Sequence, residues 1–382
     1  MDIKINRIAT NFTGEYCYTH ARGAFTPDGF GIITTQPLRL SGSDIFYGME
    51  MLKSFDGGKS WSEIVPCKNL ARKSLGDGYE MGICDATPMY HRASGKIILI
   101  GYKNTYLNDS SAPYGTRNGT AYSVYDEKSG DFGELCELEL PCDIGDEYYF
   151  CANGCGQCLE LESGDILIPV MHQRYEADRT LRRDVRFSSS VIRASFDGEK
   201  LRFVEVGTPV THELGRGIYE PSVTRYNGKY YLCMRTDDSG FVAEGDDGLH
   251  FGEPTELCFD DGEILGSYNT QQHWLAAPDA LYIVYTRRGA NNDHVFRHRA
   301  PLFIAEYDTE HRCVVRKSER VAVTERGARL GNFGCVSVDC RHGFVIASEW
   351  MQTTDPDPFN YKRCMEYGSD NSIFVSEIIF NI

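Results

Sequence analysis

The residues between 269 and 301 carry the densest set of chemically capable side chains in the chain. These are Gln271, Gln272, His273, Arg287, Arg288, Asn291, Asn292, Asp293, His294, Arg297, His298 and Arg299. An imidazole changes its charge near neutral pH, so His273 or His298 could serve as a general acid or base. A metal held by Asp293, His294 and His298 has no supporting spacing signature, and we predict no metal site and no cofactor.

Such side chains need a scaffold, and the chain predicts one made of repeated hairpins. Short apolar segments such as KIILIGY, DILIPVM, KYYLCMR and ALYIVYT each follow a turn signal, and each turn follows another short strand. Helical periodicity is nearly absent. The pattern predicts one β-hairpin that recurs six times.

The stretch SFDGGKSW at residues 54–61 predicts a turn between two strands. Gly57 and Gly58 can adopt the positive φ that a tight turn demands. Asp56 can accept hydrogen bonds from nearby backbone N–H groups, and Trp61 can pack back over the turn. This stretch therefore indicates a device that stabilises the fold rather than one that catalyses a reaction.

Weaker versions of the same turn recur, and their anchors fall at positions 56, 126, 197, 246, 308 and 377, separated by 49 to 71 residues. A period in this range indicates a repeat architecture, and four strands per unit around an axis make a β-propeller. We expect the N-terminal run DIKINRIA to complete the last unit and close the ring. The prediction is a single all-β domain over residues 1–382, a six-bladed propeller of four-stranded antiparallel blades.

Composition limits the partners. The formal net charge of −16 argues against a nucleic-acid partner. The N-terminus lacks a signal-peptide run, and no segment has the roughly 20 apolar residues of a membrane helix, so we predict a cytoplasmic protein without a membrane partner. The 14 cysteines fit reduced, mostly buried thiols. Oligomeric state stays open, and a homo-oligomer is possible.

The SFDGGKSW turn, the six-fold hairpin and the segment YEPSVTRYNGKYYLCMR together resemble the sialidase (neuraminidase) superfamily of Asp-box, BNR-repeat propellers. The resemblance in architecture covers essentially the whole chain. A propeller usually binds its ligand on the axis, next to the starts of the inner strands. The positions expected there are polar, namely His20, Arg22, Asp85, Asn153, Glu220, Gln271, Gln272, His273 and Asn332.

The resemblance implies roles for several residues. The family holds the substrate carboxylate with three arginines, which match Arg22, Arg235 and Arg299, with Arg288 as an alternative to Arg299. Its catalytic Asp matches Asp44 and its Glu matches Glu220. We add His273 as a candidate catalytic residue. Gln272, His298 and Asp85 complete the set of predicted substrate-binding residues.

One position departs from the family. The nucleophilic Tyr should open the sixth inner strand, where this chain has Asn332 and Phe333. Tyr268, Tyr361 and Tyr367 are nearby in sequence, but the spelling selects none of them.

Three functions stay open. The first is a glycosidase that removes a terminal, acidic sugar from imported small saccharides, by an inverting route or a covalent one. The second is a lyase that acts on a uronic acid with His or Tyr chemistry. The third is a carbohydrate-binding propeller without catalysis. We expect the glycosidase, with a small acidic saccharide as its partner.

Overall fold

The computed structural model describes residues 1–41, 44–113, 116–179, 185–266 and 270–381. Its sheets are mainly antiparallel and are arranged as a β-propeller, which confirms the predicted all-β class. No helix within the described ranges has the length and apolar character needed to cross a membrane. Tyr268, considered above as a nucleophile, lies outside the described residues.

Within the described ranges the strands form six sheets. The chain begins with β1 (Asp2–Ile8). The first sheet contains β2 (Tyr16–Phe25), β3 (Gly31–Arg39), β4 (Glu50–Ser54) and β5 (Val65–Pro66). The second contains β6 (Lys73–Gly76), β7 (Tyr79–His91), β8 (Lys96–Leu107), β9 (Ser110–Ser111), β10 (Thr120–Asp126), β11 (Asp131–Phe132) and β12 (Cys136–Glu137). The third contains β13 (Phe150–Ala152), β14 (Leu159–Glu160), β15 (Ile166–Gln173), β16 (Ser188–Phe196) and β17 (Leu201–Val206).

The remaining sheets follow the same plan. The fourth contains β18 (Tyr219–Tyr226), β19 (Lys229–Arg235), β20 (Gly240–Gly245) and β21 (Thr255–Glu256). The fifth contains β22 (His273–Ala276), β23 (Leu281–Tyr285), β24 (Leu302–Asp308), β25 (Cys313–Val314) and β26 (Arg320–Val323). The sixth contains β27 (Gly334–Ser337), β28 (His342–Ser348) and β29 (Ile373–Ile379), with β1 added. A short helix, α1 (Tyr361–Glu366), lies between β28 and β29.

The first strands of the sheets lie side by side around an axis. Strand β2 contacts β7 on one side and β27 on the other, while β22 contacts both β18 and β27. Strand β1 pairs antiparallel with β29, from Asp2 opposite Ile379 to Ile8 opposite Ile373. The two ends of the chain therefore share one sheet.

The predicted turns have the expected geometry. Asn227 and Gly228, with φ of 48° and 81°, join β18 to β19, because an Asn-Gly pair favours this two-residue turn. In the first repeat, Asp56 accepts the Ser60 N–H at 2.9 Å. The Trp61 indole N–H returns to the Gly58 carbonyl at 3.1 Å, so Trp61 packs back over the turn as predicted.

Two of the repeat anchors differ from the prediction. Asp126, Asp197 and Asp308 each accept the N–H groups two and three residues further on. In the fourth repeat Asp247, not Asp246, makes these bonds. The sequence EGDDGLHF offers two adjacent Asp residues, and only backbone geometry decides between them. Glu377 lies inside β29 opposite Lys4 rather than at a turn.

Apolar side chains fill the layers between neighbouring sheets. Ile98 and Ile100 of β8 pack with Ile168 of β15 and Ile192 of β16, and all four are fully buried. Burying both faces of each sheet in this way fixes the positions of the inner strands. Their starts can therefore hold polar side chains in a defined arrangement.

Glu349 follows β28 and is a buried carboxyl group at the end of the sixth sheet. Its Oε2 accepts the N–H groups of Asp370 at 2.9 Å and Ser372 at 3.0 Å. Arg326 Nη1 lies 3.5 Å from Oε1. Burial raises the pKa of Glu349 from 4.5 to about 7, although the two N–H groups and Arg326 act in the opposite direction.

This raised pKa predicts a pH-dependent stability. Between pH 4.5 and about 7 the folded protein holds a proton on Glu349 that the unfolded chain has lost, so stability falls as the pH rises through that window. The free energy of unfolding of Glu349→Gln, taken relative to that of the wild type, should be about 1–3 kcal/mol higher at pH 8 than at pH 4.5. Urea unfolding at both pH values measures this. Glu253→Gln, at an exposed carboxylate, is the control and should show no such gain.

Candidate functional site

Four polar residues at the starts of inner strands share an uncommon backbone conformation. His20, Asp85, Glu220 and Asn332 have φ of 58°, 51°, 52° and 67°. Beside the first three, the pairing of β2, β7 and β18 with the next strand shifts register. Left-handed φ is rare outside Gly, and such bulges re-aim side chains and cluster at functional sites. Here they bring side chains from four sheets into one cluster.

His20 joins the first, second and sixth sheets at the centre of this cluster. Its Nδ1 lies 2.7 Å from Asp85 Oδ1. Asn332 Nδ2 lies 2.7 Å from His20 Nε2 and donates to it, so the ring proton resides on Nδ1. The side chain is almost fully buried, and burial lowers the pKa of His20 even with Asp85 beside it. His20 is therefore a neutral imidazole in a fixed tautomer.

Asp85 balances the charge of Arg22, which is fully buried. Arg22 Nη2 lies 3.7 Å from Asp85 Oδ1, and the guanidinium also donates to two backbone carbonyls at 3.2 and 3.3 Å. The Cys155 thiol donates to Asp85 at 3.1 Å. Burial opposes ionisation of Asp85, but His20, Arg22 and Cys155 together hold its pKa well below the ordinary value. Asp85 is therefore an anion shared by several groups.

Arg235 is held in a two-point ion pair with Glu220. Its Nε and Nη2 donate to the carboxylate at 2.8 and 2.6 Å. Its Nη1 donates to the Tyr219 hydroxyl at 2.6 Å. That hydroxyl donates to Asp237 at 2.6 Å, and Arg216 pairs with the same carboxylate at 2.5 Å. Each charge in this network has an opposite charge beside it.

Arg299 reaches the cluster from the fifth sheet. It is 3% exposed, and its Nη1 donates to the neutral amide oxygen of Asn332 at 3.1 Å. Its stem lies against residue 331, where an added Cβ would come within 2.5 Å of Arg299 Cδ. Burial, followed by the charges of Arg235 and Arg297, lowers the pKa of Arg299 to about 9, although Glu220 acts in the opposite direction. The cluster therefore holds a buried guanidinium close to a second one.

Asp44 lies at the rim of the cluster. It is exposed and has a left-handed φ of 61°. Its negative charge acts on His20 and on Arg329. A solvent-accessible carboxylate in this position can exchange a proton with a bound ligand.

Two of the predicted residues, His273 and Gln272, are buried among neighbouring groups. His273 is buried, its Nδ1 lies 2.9 Å from Ser222 Oγ, and its ring packs edge-on against Phe333. Burial and then Arg22 lower the pKa of His273 to about 3, so this histidine stays neutral. Gln272 is fully buried and donates to the Thr270 carbonyl at 3.0 Å. Their position at the start of an inner strand did not show that these two side chains are enclosed by their neighbours.

The predicted substrate-binding residues His298 and Arg288 lie on the loop of the fifth sheet. His298 Nε2 is 3.1 Å from Asp293 Oδ1. Arg288 is exposed, whereas its alternative, Arg299, is buried in the cluster. Among the described residues no three metal-binding side chains converge.

Of the tyrosines considered as a nucleophile, the two that are described pack against rings other than those of the cluster. Phe333 itself is fully buried. Tyr361 packs edge-on against Phe12, and Tyr367 stacks on His294. The side chain beside His20 and Arg299 is the amide of Asn332.

Several members of the cluster were not assigned a role from the sequence. His20 and Asn332 stood out only as polar residues at strand starts, and their left-handed backbone has no sequence signature. Arg329 and Trp350 stood out in no pattern. Arg329 is buried, and its guanidinium lies 3.3 Å from the centre of the Trp350 ring.

Two cavities lie elsewhere on the protein. One of about 370 Å³ is lined by residues that include Tyr18 and Glu50, and one of about 560 Å³ by residues that include Phe30 and Phe55. No residue of the cluster lines either cavity. We place the candidate site at the cluster because convergent polar groups, rather than volume, determine chemistry.

The fold and its axial cluster define a β-propeller that resembles those of sialidases. A crystal structure of a protein of unknown function from Dyadobacter fermentans aligns with a TM-score of 0.67 at 16% identity, over 99% of both chains. Trypanosoma rangeli sialidase in complex with sialic acid aligns with a TM-score of 0.58 at 13% identity, over 97% of this chain and 58% of that one. A Hadza microbial sialidase aligns with a TM-score of 0.60 at 13% identity, over 95% and 66%.

These similarities establish the fold alone. The chain spans less than two thirds of the length of either sialidase chain. No family model and no curated protein matches the sequence. The chemistry must therefore be argued from the site itself.

Proposed function

We propose that this protein is a glycoside hydrolase that removes a terminal acidic sugar from a small glycan. The observation that carries the proposal is the convergence of the buried guanidinium groups of Arg22, Arg235 and Arg299 in one cluster. Guanidinium groups held together in this way favour an anionic ligand, and a guanidinium fork matches a carboxylate. The similar T. rangeli sialidase binds sialic acid, which is an acidic sugar.

The proposed roles follow from the contacts. Arg22, Arg235 and Arg299 bind the sugar carboxylate, and Glu220 positions Arg235. Asp44 is the general acid that protonates the leaving oxygen. In the inverting route, His20 accepts a proton from water at Nε2, where Asn332 now donates, and Asp85 stabilises the imidazolium through Nδ1–H.

Assays with fluorogenic glycosides test the proposal. Sialic acid and glucuronic acid glycosides are the acidic substrates, and a galactoside is the neutral one. Arg299→Gln should raise the KM for the hydrolysed acidic substrate about 10–100-fold, because charge-assisted hydrogen bonds to the carboxylate are lost. The control Arg287→Gln, at an arginine paired with Glu319 in the same sheet, should leave KM unchanged. Hydrolysis of the galactoside alone would exclude the proposal.

A uronic-acid lyase is the second candidate, and His20 is the observation that favours it. A neutral imidazole with Nδ1 fixed on Asp85 can remove a proton beside a carboxylate that arginine neutralises. A lyase forms an unsaturated product that absorbs ultraviolet light. Incubation with oligosaccharides of uronic acids, monitored by absorbance and by NMR of the first product, separates elimination from hydrolysis.

We propose further that the six sheets are six blades and that β1 closes the ring by pairing with β29. We also propose a cytoplasmic enzyme that acts on short saccharides. A homo-oligomer stays an open possibility, which light scattering would decide.

A further inference from the structure

Arg297 and Arg329 lie beside the site, and neither forms an ion pair with an acid among the described residues. Within the described parts of the chain, neither guanidinium makes a hydrogen bond or an ion pair with another residue. Arg329 is 3% exposed, and its Nε is fully enclosed without an acceptor. A buried donor or charge left in this state costs free energy, and native proteins rarely keep one without a reason.

Aromatic rings hold the two guanidinium groups together. The Phe296 ring lies 5.1 Å from the Arg297 guanidinium and 5.3 Å from that of Arg329. Trp350 covers Arg329 at 3.3 Å, and its own indole N–H is buried without an acceptor. The rings occupy the guanidinium faces, which leaves the N–H edges to point at a ligand. Every group without a partner here is a donor, so the missing partner is an acceptor.

Two other arginines of the site are already compensated. Arg22 lies beside Asp85, and Arg235 is paired with Glu220. Arg329 is surrounded mainly by positive charge. Burial, followed by the charges of Arg299 and Arg297, lowers the pKa of Arg329 well below its ordinary value, and Asp44 acts in the opposite direction. Positive charge is therefore concentrated on the side of the fifth and sixth sheets, away from the Arg22 and Arg235 pairs.

We propose that Arg297 and Arg329, held by Phe296 and Trp350, form a second anion subsite that takes an additional anionic group of the ligand, such as a sulfate or phosphate ester or a second carboxylate. It goes beyond the proposed function, which needs only one carboxylate. The subsite would restrict the enzyme to sugars that carry two anionic groups. Asp44, whose charge acts on Arg329, would then lie close to both groups.

Thermal unfolding of the full chain with and without added anions tests the subsite. The probes are inorganic sulfate and inorganic phosphate for an ester and glucuronate for a single carboxylate. Sulfate at ten times its Kd should raise the Tm of the wild type by about 1–3 °C. In Arg329→Met this rise should disappear, while the rise with glucuronate persists. In anion-free buffer Arg329→Met should itself have a higher Tm than the wild type, because the buried uncompensated cation is gone.

The matched control is Arg287→Met, whose arginine is paired with Glu319. This variant should have a lower Tm and an unchanged response to sulfate. The subsite is overturned if sulfate stabilises Arg329→Met as much as the wild type, or if Arg329→Met unfolds at a lower temperature. Loss of the glucuronate response in Arg329→Met would also overturn it, because the arginines would then form one site. Sulfate binding by a protein that hydrolyses no acidic glycoside would leave the subsite standing and remove the proposed function.

Discussion

Asp44→Asn is expected to lower kcat for an acidic glycoside by about 10²–10⁴-fold and to leave KM nearly unchanged. The carboxylate is exposed at the rim of the cluster and is the proposed proton donor. An amide keeps the shape but has no proton to give. Asn also tolerates the left-handed φ of 61° at this position, so the backbone should not move. Steady-state kinetics with the acidic glycoside that the wild type hydrolyses measures both constants.

Asp77→Asn is the matched control for this prediction. Asp77 is an exposed Asp with a φ of 50° in another loop, so the same substitution tests the chemistry of position 44 and not the loss of any surface charge. Its kcat should equal that of the wild type. An Asp44→Asn variant with full activity would remove Asp44 from the mechanism. Binding of acidic sugars without turnover in either protein would favour the non-catalytic, carbohydrate-binding propeller.

Local patterns predicted most of the fold because each repeat is held by short-range contacts. The Asn-Gly pair at 227–228 and the Asp turn at 56 depend on residues a few positions apart, and both have the expected geometry. The prediction was wrong for the anchors at 246 and 377. The sequence does not show which of two adjacent acidic residues makes the turn. It also does not distinguish an acidic residue within a strand from one at a turn.

The site was less accessible to prediction from sequence. The resemblance to sialidases brought Arg22, Glu220, Arg235 and Arg299 to attention, and they lie in one cluster. Which groups pair with them is decided across sheets: Asp85 is 63 residues from Arg22, and Asn332 is 33 residues from Arg299. His273 and Gln272 lie at the predicted strand start, and their contacts with Ser222 Oγ and the Thr270 carbonyl could not be read from the sequence.

Asp85→Asn is expected to reduce the free energy of unfolding by about 3–5 kcal/mol, because it removes the carboxylate from a buried ion pair and leaves the partner charge in place. Arg22 is fully buried, and Asp85 is the acid beside it. The same carboxylate receives His20 Nδ1 and the Cys155 thiol. One substitution therefore leaves a buried cation without its counter-ion and gives the two donors a neutral amide oxygen in place of a carboxylate. Urea unfolding at pH 7 measures the loss.

The comparison that makes this prediction specific is Asp237→Asn. Asp237 also receives an arginine and a hydroxyl, from Arg216 and Tyr219, but the side chains of Asp237 and Arg216 are 31% and 38% exposed. Water can solvate the Arg216 charge when the carboxylate is lost, so the destabilisation should be about 1 kcal/mol. Equal losses for the two variants would mean that burial of Arg22 does not decide the cost. In that case Asp85 would not be the group that offsets the cost of burying Arg22.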